Sequence, residues 1–555
     1  IILPMNERIT ISFPNGKTLE SAPGIRAIDF IDALSHDVES IYAVRVNNQI
    51  CSLNKSIYTD CFVEPVLAKS KDGAEVYRRT LCFTMEAALH EIDPNYHLLI
   101  GHSLGYGYYY TLLDGNAVHP PLIEKIKNKM NEIIAKNEQI KTYTLSYANA
   151  IELFEQQGLS NTRELLKYKC PPRVEVNNLG NFSDMYYAPM LVSTGYLKTW
   201  EIIKYGQGFL LRFPTSSNPT ELPEFTDVPQ LFKTYEKYKK WGKQIGVTTA
   251  ASLNELVSKR QIEDFIDISE TFQHKCIAEI AQQIHDKGKV KVVLIAGPSS
   301  SGKTTSAKKL GLELQAIGYK PKIISLDCYY VGRDKTPKDE NGNYDFECLE
   351  ALDVELINQN LVDLFDGKTV TLPEYDFKTG TRSMTGPELK LEDNDILIME
   401  GIHGLNDKLT PLVKPQYKFK LYLSALTQLN INEHNRISTS DNRLIRRIVR
   451  DSQFRGKPAE ETIGMWDSVH RGERLHIFPF QNNADAILNT ALDYELSVLK
   501  IFAEPLLKRI TPLQKEYSEA CRLLRFLDFF PTIDPTNVPD RSILREFIGK
   551  SAFHY

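Results

Sequence analysis

The chain has no apolar run approaching the about 18 residues that a membrane helix needs, so no membrane-spanning segment and no membrane partner are expected. It has no Cys-x-x-Cys. Its eight cysteines (51, 61, 82, 170, 276, 328, 348 and 521) are scattered, which argues for reduced thiols and a cytoplasmic protein rather than a disulfide framework. It has no basic excess: 66 Lys and Arg stand against 71 Asp and Glu, a net charge of −5. That excludes a general nucleic-acid coat protein and restricts any RNA or DNA contact to a local patch. The first residues lack a charged n-region and an apolar h-region, so no signal peptide is expected. Short repeats and low-complexity segments are also missing.

What is there is an ordinary globular composition, 42% hydrophobic and 25% charged, over 555 residues. At roughly 150 residues per domain, that corresponds to about three or four domains. The pattern predicts a multidomain protein of α/β and α+β units. Residues 5–68 read as a small β-grasp, a ubiquitin-like roll. It has a strand at 8–13, an Asn15-Gly16 turn, a return at 17–20, a short helix at 27–34, a hairpin of 41–46 and 49–53 around Asn47-Asn48, and a last strand at 62–68. Positions 69–73 read as a polar linker. Residues 74–225 read as a mixed α+β unit with helices near 76–91 and 121–137, strands between 172 and 213, and a breaker-rich close at 213–223. Residues 226–289 read as a helical connector. Within it Phe272, Cys276, Ile277, Ile280, Ala281 and Ile284 share one helical face. From 290 to 500, short apolar strands alternate with helices, the signature of a parallel α/β sheet. Residues 501–555 read as a helical tail with proline breaks.

Gly297-Pro298-Ser299-Ser300-Ser301-Gly302-Lys303-Thr304 matches the phosphate-loop pattern G-x-x-x-x-G-K-[ST], followed by Thr305. An apolar strand precedes it and a helix carrying Ala307, Leu310, Leu312 and Leu314 follows. The two glycines let the backbone turn tightly and aim N–H groups at phosphates, and the helix N-terminus adds a positive dipole end. Lys303 is placed to reach the β- and γ-phosphates of a nucleoside triphosphate, and the Thr304 hydroxyl to hold Mg²⁺. Two acids follow. Asp327 lies just past the strand 322–326, where a carboxylate can accept the proton of an acceptor hydroxyl. Glu400 closes the strand 395–400, where it would order Mg²⁺ or its water. Either acid alone is compatible with an ordinary strand-end turn; their order after the phosphate loop singles them out.

Residues 443–457 gather Arg443, Arg446, Arg447, Arg450, Arg455 and Lys457 against Asp451. Arg443, Arg447 and Arg450 form one helical stripe, with Leu444, Ile445, Ile448 and Val449 on the packing side. The preferred reading is a lid that clamps the transferring phosphate. A solvated charged face and an RNA-binding face are the alternatives.

Together these segments resemble the uridine kinase and phosphoribulokinase group of P-loop kinases over about 290–495. The carrying motifs are Gly-Pro-Ser-Ser-Ser-Gly-Lys-Thr-Thr (297–305), Ser-Leu-Asp-Cys-Tyr-Tyr (325–330), Tyr-Asp-Phe-Glu (344–347), Leu-Pro-Glu-Tyr-Asp-Phe (372–377), Met-Glu-Gly-Ile (399–402) and Arg-Leu-Ile-Arg-Arg-Ile-Val-Arg-Asp (443–451). The resemblance implies ATP and Mg²⁺ as cofactors. It implies Asp327, Lys303, Arg450 and Arg455 in catalysis, and Tyr330, Glu347, Tyr375, Arg382, Arg447 and Lys457 on the acceptor side. Three departures stand out. Glu347 replaces the usual Asp, Gly380 falls where a base-contacting His is usual, and Arg455-Gly456-Lys457 replaces Arg-Gly-Arg, Lys lacking the planar fork. These sit on the acceptor side, so ATP is a firmer expectation than a pyrimidine nucleoside.

Residues 8–225 are similar to the N-terminal region of threonyl-tRNA synthetase, a TGS domain followed by the editing-type second additional domain. The carrying segments are 9–17, 44–48, 100–110 and 184–190. The positions matching the family's editing ligands are Arg79, Phe83, Tyr186 and Met190, none of which supplies imidazole or thiolate. A degenerate unit is therefore expected, without zinc and without aminoacyl-tRNA hydrolysis, and His90, His97 and His102 are expected to be structural or surface residues.

The expected function is ATP-dependent phosphoryl transfer to the hydroxyl of a small molecule, a nucleoside in the first instance. A non-nucleoside acceptor such as a sugar phosphate, and an RNA-associated regulatory protein with a nucleotide-sensing domain, are the alternatives. An RNA contact through the front module stays open, and a homo-oligomer is expected.

Overall fold

The first sixty residues alternate apolar and polar positions, and in the computed structural model they form a five-stranded sheet. The structure describes residues 8–554 except 35, 36, 38, 39, 339–341, 343, 377 and 378. Positions 5–7 of the expected β-grasp, and Phe377 and Lys378 of the acceptor-side motif, lie outside the described residues. The strand order is Thr18–Ser21, Ile9–Ser12, Cys61–Leu67, Ile41–Val46 and Gln49–Cys51. Ile9–Ser12 pairs parallel with Cys61–Leu67, which closes the roll. Ile9, Ile11, Val44 and Val63 fill its core with Phe30 and Ile31 from a 3-10 helix, Ala27–Ala33. Asn47 and Asn48 take φ of 47° and 60°, the left-handed pair that a two-residue hairpin needs.

The stretch 69–73 is not a linker. The Ser70 hydroxyl accepts from the Gly73 amide and caps a helix, Lys71–Ile92. That helix shares one core with Tyr42, Ala43 and Val66 of the first sheet. Against it lie the helix Pro120–Ala135 and two antiparallel sheets. One is ordered Glu201–Tyr205, Gly208–Arg212, Gly107–Leu112, Leu98–Leu104, the other Lys141–Ser146, Arg173–Leu179, Phe182–Asp184.

The third part is a five-stranded parallel sheet ordered Lys320–Ser325, Asp395–Glu400, Val292–Ala296, Lys418–Ser424, Ala486–Asn489. A central parallel strand must be covered on both faces. Val292 and Leu294 pack with Ile357, Leu361 and Met399 on one face. Val293 and Ile295 pack with Leu310 and Leu314 on the other. The helix Ile262–Lys287 completes that second cover through Cys276, Ile277, Ile280, Ala281 and Ile284. The segment read as a connecting and packing layer thus packs on this face of the sheet.

At the C-terminal side, the helix Glu495–Leu507 runs across position 500. The chain after it folds back through Tyr517–Leu527 to the short helix Arg545–Ile548. Leu523, Phe526, Ile543, Leu544 and Phe547 join Leu444, Ile445, Ile448 and Val449 of the helix Thr439–Phe454 in one core. Among the described residues, no helix is long and apolar enough to cross a membrane.

Candidate active site

The phosphate loop leaves the central strand Val292–Ala296 and enters the helix Lys303–Ala316. Gly297 is required by space, because a Cβ there would stand 2.5 Å from the Leu423 carbonyl oxygen. Gly302 is required by backbone, with φ of 80° at the helix N-cap. Ser300 also has positive φ, so successive turns aim amide groups into the loop. Lys303 folds back, its ammonium donating to the carbonyl oxygens of Gly297 (3.1 Å) and Pro298 (3.2 Å).

Parallel register sets Ser325 and Ile295 on either side of Glu400, so three strand ends finish level. Glu400 is buried, and the Thr304 hydroxyl donates to its Oε1 at 3.3 Å. A hydroxyl and a carboxylate side by side are the hard oxygen donors that Mg²⁺ takes from protein, with its other positions left to water and phosphate. Burial, and then the neighbouring Asp327, push the Glu400 carboxyl up to about 7, against the pull of Lys303. Asp327 opens onto the cleft from the 3-10 turn Leu326–Tyr329, yet is walled by protein on its other sides. Desolvation raises its pKa, opposed by Lys303, Arg455 and Arg450. Asp327 therefore lies within electrostatic reach of Lys303 and Glu400.

A cleft of about 520 Å³ opens beside it, lined by Ser325, Asp327, Cys328 and by the hairpin residues Glu374, Tyr375, Asp376, Thr381 and Ser383. The Tyr330 and Tyr375 rings meet at 5.5 Å, and the Tyr330 hydroxyl donates to the Phe346 carbonyl oxygen at 3.1 Å. Glu347 packs against Gly472, where a Cβ would come within 2.7 Å of its side chain. Burial and the nearby Glu473 push its carboxyl up to about 7, with Arg447 and Lys303 opposing. Arg382 pairs across the hairpin with Tyr375, but its guanidinium is bound to Asp353 at 2.7 Å. Gly380 has φ of 72°, and the Nε of Arg333 lies 2.7 Å from where its Cβ would be. A Cβ there would crowd the Arg333 side chain, whose guanidinium borders the position.

The arginine helix is more buried than its charge implies. Arg443 is held by both carboxylate oxygens of Glu473, one at 2.8 Å, and donates to the Ser299 carbonyl oxygen at 3.0 Å. Against the burial that would raise it, Arg443 and His470 hold the Glu473 carboxyl down at about 2. Arg446 is fully buried. It binds Glu495 (3.0 Å through Nε), the Thr490 carbonyl oxygen (2.7 Å) and the Ser300 carbonyl oxygen (3.3 Å). The stripe expected to face an external anion is thus corrected: Arg443 is spent on an internal carboxylate, and with Arg446 it fastens the helix to the phosphate loop. Arg447 donates to the Ser299 hydroxyl at 2.8 Å, while Arg447, Arg450 and Arg455 surround the buried Asp451. The Lys457 amide donates to the Asp451 carbonyl oxygen at 3.1 Å.

In the front module, Phe83 and Tyr186 meet edge to face at 5.5 Å, Met190 is buried, and Arg79 donates to the Pro189 carbonyl oxygen. The loop 430–435, which follows the strand Lys418–Ser424, is buried beside them. The Glu433 carboxylate accepts from the Asn161 (2.6 Å) and Thr162 (3.2 Å) amides, and the Ile100 amide donates to its carbonyl oxygen at 3.0 Å. His434 meets Phe182 edge to face at 5.9 Å. His90 packs on Phe182, His97 against Gly158 and His102 on Tyr235. Sequence reading missed this loop, the Arg443–Glu473 pair and the approach of the C-terminal segment, none of which has a local signature.

Residues 292–497 match the Phosphoribulokinase / Uridine kinase family. A uridine kinase of Macrococcus caseolyticus (strain JCSC5402) is 34% identical over 202 residues, 36% of this chain and 88% of that one. A threonine--tRNA ligase of Clostridium kluyveri (strain NBRC 12016) is 30% identical over 198 residues, 35% of this chain and 31% of that one. The chain thus spans about a third of the ligase. Among solved structures, a possible uridine kinase from Bacillus stearothermophilus is 21% identical with a TM-score of 0.26, covering 41% of this chain and all of that one. With a threonine–tRNA ligase-like region beside it, the parallel-sheet part makes this chain a member of the phosphoribulokinase and uridine kinase family.

Proposed function

We propose that the protein transfers the γ-phosphoryl group of ATP to the hydroxyl of a small molecule, a nucleoside in the first instance. The observation that carries this reading is the meeting of Asp327, Glu400 and Lys303 at the carboxyl ends of three adjacent strands, around a loop built for phosphate. Asp327 accepts the acceptor hydroxyl's proton as the oxygen attacks phosphorus. Lys303 leaves its two carbonyl partners to follow the phosphate charge. Thr304 and Glu400 would hold Mg²⁺, which when bound neutralises charge on the transferring phosphates. Arg447, Arg450 and Arg455 supply positive charge above the loop, with Asp451 holding them in place. Tyr330, Tyr375 and Glu347 wall the acceptor side, and the eight free thiols support a reducing, cytoplasmic setting. The test is ATP consumption across a nucleoside panel with wild-type and Asp327→Asn protein. Equal, low, acceptor-independent turnover in both would rule the reading out.

A second reading, a non-nucleoside acceptor such as a sugar phosphate, is favoured by Arg333 beside Gly380, where a cation borders the position of the usual base contact. Competitive inhibition by uridine or cytidine would count against it. An RNA role for the front module rests on the likeness to threonine–tRNA ligases. Steeply salt-dependent tRNA binding by the full chain would support that role.

A further inference from the structure

The first turn of a helix leaves its N–H groups without intrahelical partners, and at the phosphate-loop helix those donors are what an anion would take. One of them is already taken. Thr305, the third residue of Lys303–Ala316, gives its amide (3.1 Å) and its hydroxyl (2.7 Å) to the same carboxylate oxygen of Glu546, 241 residues away. A carboxylate at this end of a helix is stabilised by the same dipole and the same donors as a phosphate.

The segment that brings Glu546 there is firmly seated. Ile543 and Phe547 are fully buried, and a methyl of Ile543 lies 2.6 Å from where a Gly302 Cβ would be. The Arg446 guanidinium, which binds the Ser300 carbonyl oxygen, also lies over the Phe547 ring at 5.0 Å. Arg545 donates to the Pro535 carbonyl oxygen at 2.9 Å, and Lys308 of the phosphate-loop helix donates to the His554 carbonyl oxygen. These contacts hold the backbone, while Glu546 itself is only half-buried. Its charge is felt across the site, because Glu546 adds to the burial and to the Asp327 charge that push up the Glu400 carboxyl.

We propose that Glu546 holds the place of a nucleotide phosphate at Thr305, so that ATP binds only by displacing it and the C-terminal segment sets the affinity of the nucleotide site. The inference rests on the ATP reading above. It makes the carboxylate a competitor rather than a support, and the two roles predict opposite signs.

The experiment is equilibrium binding of a fluorescent, non-hydrolysable ATP analogue with Mg²⁺ to the full chain as wild type, Glu546→Gln, Glu546→Ala and Lys303→Ala. Thermal unfolding of each unliganded protein checks that it is folded. Gln keeps the shape and removes the charge, and loss of a charge-assisted bond and of the like-charge opposition is expected to tighten binding about tenfold. Glu546→Ala should shift Kd in the same direction. Measurable wild-type binding that Lys303→Ala weakens, with equal or weaker binding in both Glu546 variants, overturns this inference and leaves the kinase reading standing. No binding by wild type and Glu546 variants alike overturns both.

Discussion

His434 and Asp184 lie 250 residues apart in the chain, and the imidazole Nδ1 of one meets the carboxylate of the other at 2.7 Å. The His434 Nε2 stands 3.2 Å from Glu86, and all three side chains are buried. The pair joins the loop after the strand Lys418–Ser424 to the threonine–tRNA ligase-like part. Asn432, Asn435 and Asn430 add hydrogen bonds to Thr162, Met185 and Ile100. Buried charge is tolerated only with partners, so the two parts are held in one arrangement.

His434 gives a pH-dependent prediction. Burial alone would lower its pKa, but Glu86 and Asp184 prevail and raise it well above 6.5, and its charge is also felt at Glu433 and His97. A raised histidine stabilises the fold fully below its unfolded pKa, and that stabilisation is lost as pH rises through the folded value. His434→Gln should therefore cost about 3–5 kcal/mol at pH 6, and less as pH is raised. Calorimetric midpoints of both proteins at pH 6 and pH 9 check this, and a constant gap would contradict it.

Asp327→Asn should lower kcat by about 10²–10⁴-fold, the range of a positioned general base, with nucleotide binding retained. Single-turnover phosphoryl transfer, measured beside binding of the ATP analogue, separates the two.

On the proposed reading the Glu400 carboxyl, pushed up to about 7, has to be ionised to hold Mg²⁺. The expected kcat/KM therefore falls as pH drops below about 7, and the fall moves to lower pH at higher Mg²⁺, since metal and proton compete. Glu347 is also pushed up to about 7, so Glu347→Gln is the control. A limb that survives in Glu400→Gln and vanishes in Glu347→Gln would assign it to the acceptor side.

Glu473→Leu leaves the buried Arg443 without its carboxylate and loosens the arginine helix where it meets Ser299. The expected cost is about 3–5 kcal/mol, read as a lower midpoint in denaturant or heat. A change within about 0.5 kcal/mol, as for a surface site, would show the pair to be dispensable.

The phosphate loop, its strand and its helix were legible because their signals are contiguous: turn glycines, an apolar strand, a periodic helix. The hairpins of the first sheet were legible for the same reason, and Ile41–Val46 was found to the residue. Positions 69–73 misled because their polarity is that of a helix N-terminus as well as of a linker, and only the Ser70 cap decides between them. The apolar face of 271–287 was visible, but not what it covers. Arg443 looked like a ligand-facing cation because its partner, Glu473, is 30 residues on.

The sequence by itself carried the phosphate-loop pattern, the order of Lys303, Asp327 and Glu400, and the side chains Arg79, Phe83, Tyr186 and Met190 at the positions where the synthetase likeness expects editing ligands. Those are statements about which side chains exist and about spacing within one or two elements. The tertiary structure decided which charges are free. It spent Arg443 on Glu473 and Arg382 on Asp353, seated His434 between Asp184 and Glu86, and laid Glu546 against Thr305. A side chain's chemistry depends on its partners and on its exclusion from water. Partners that come from distant parts of the chain are chosen by packing, which leaves no local pattern to read.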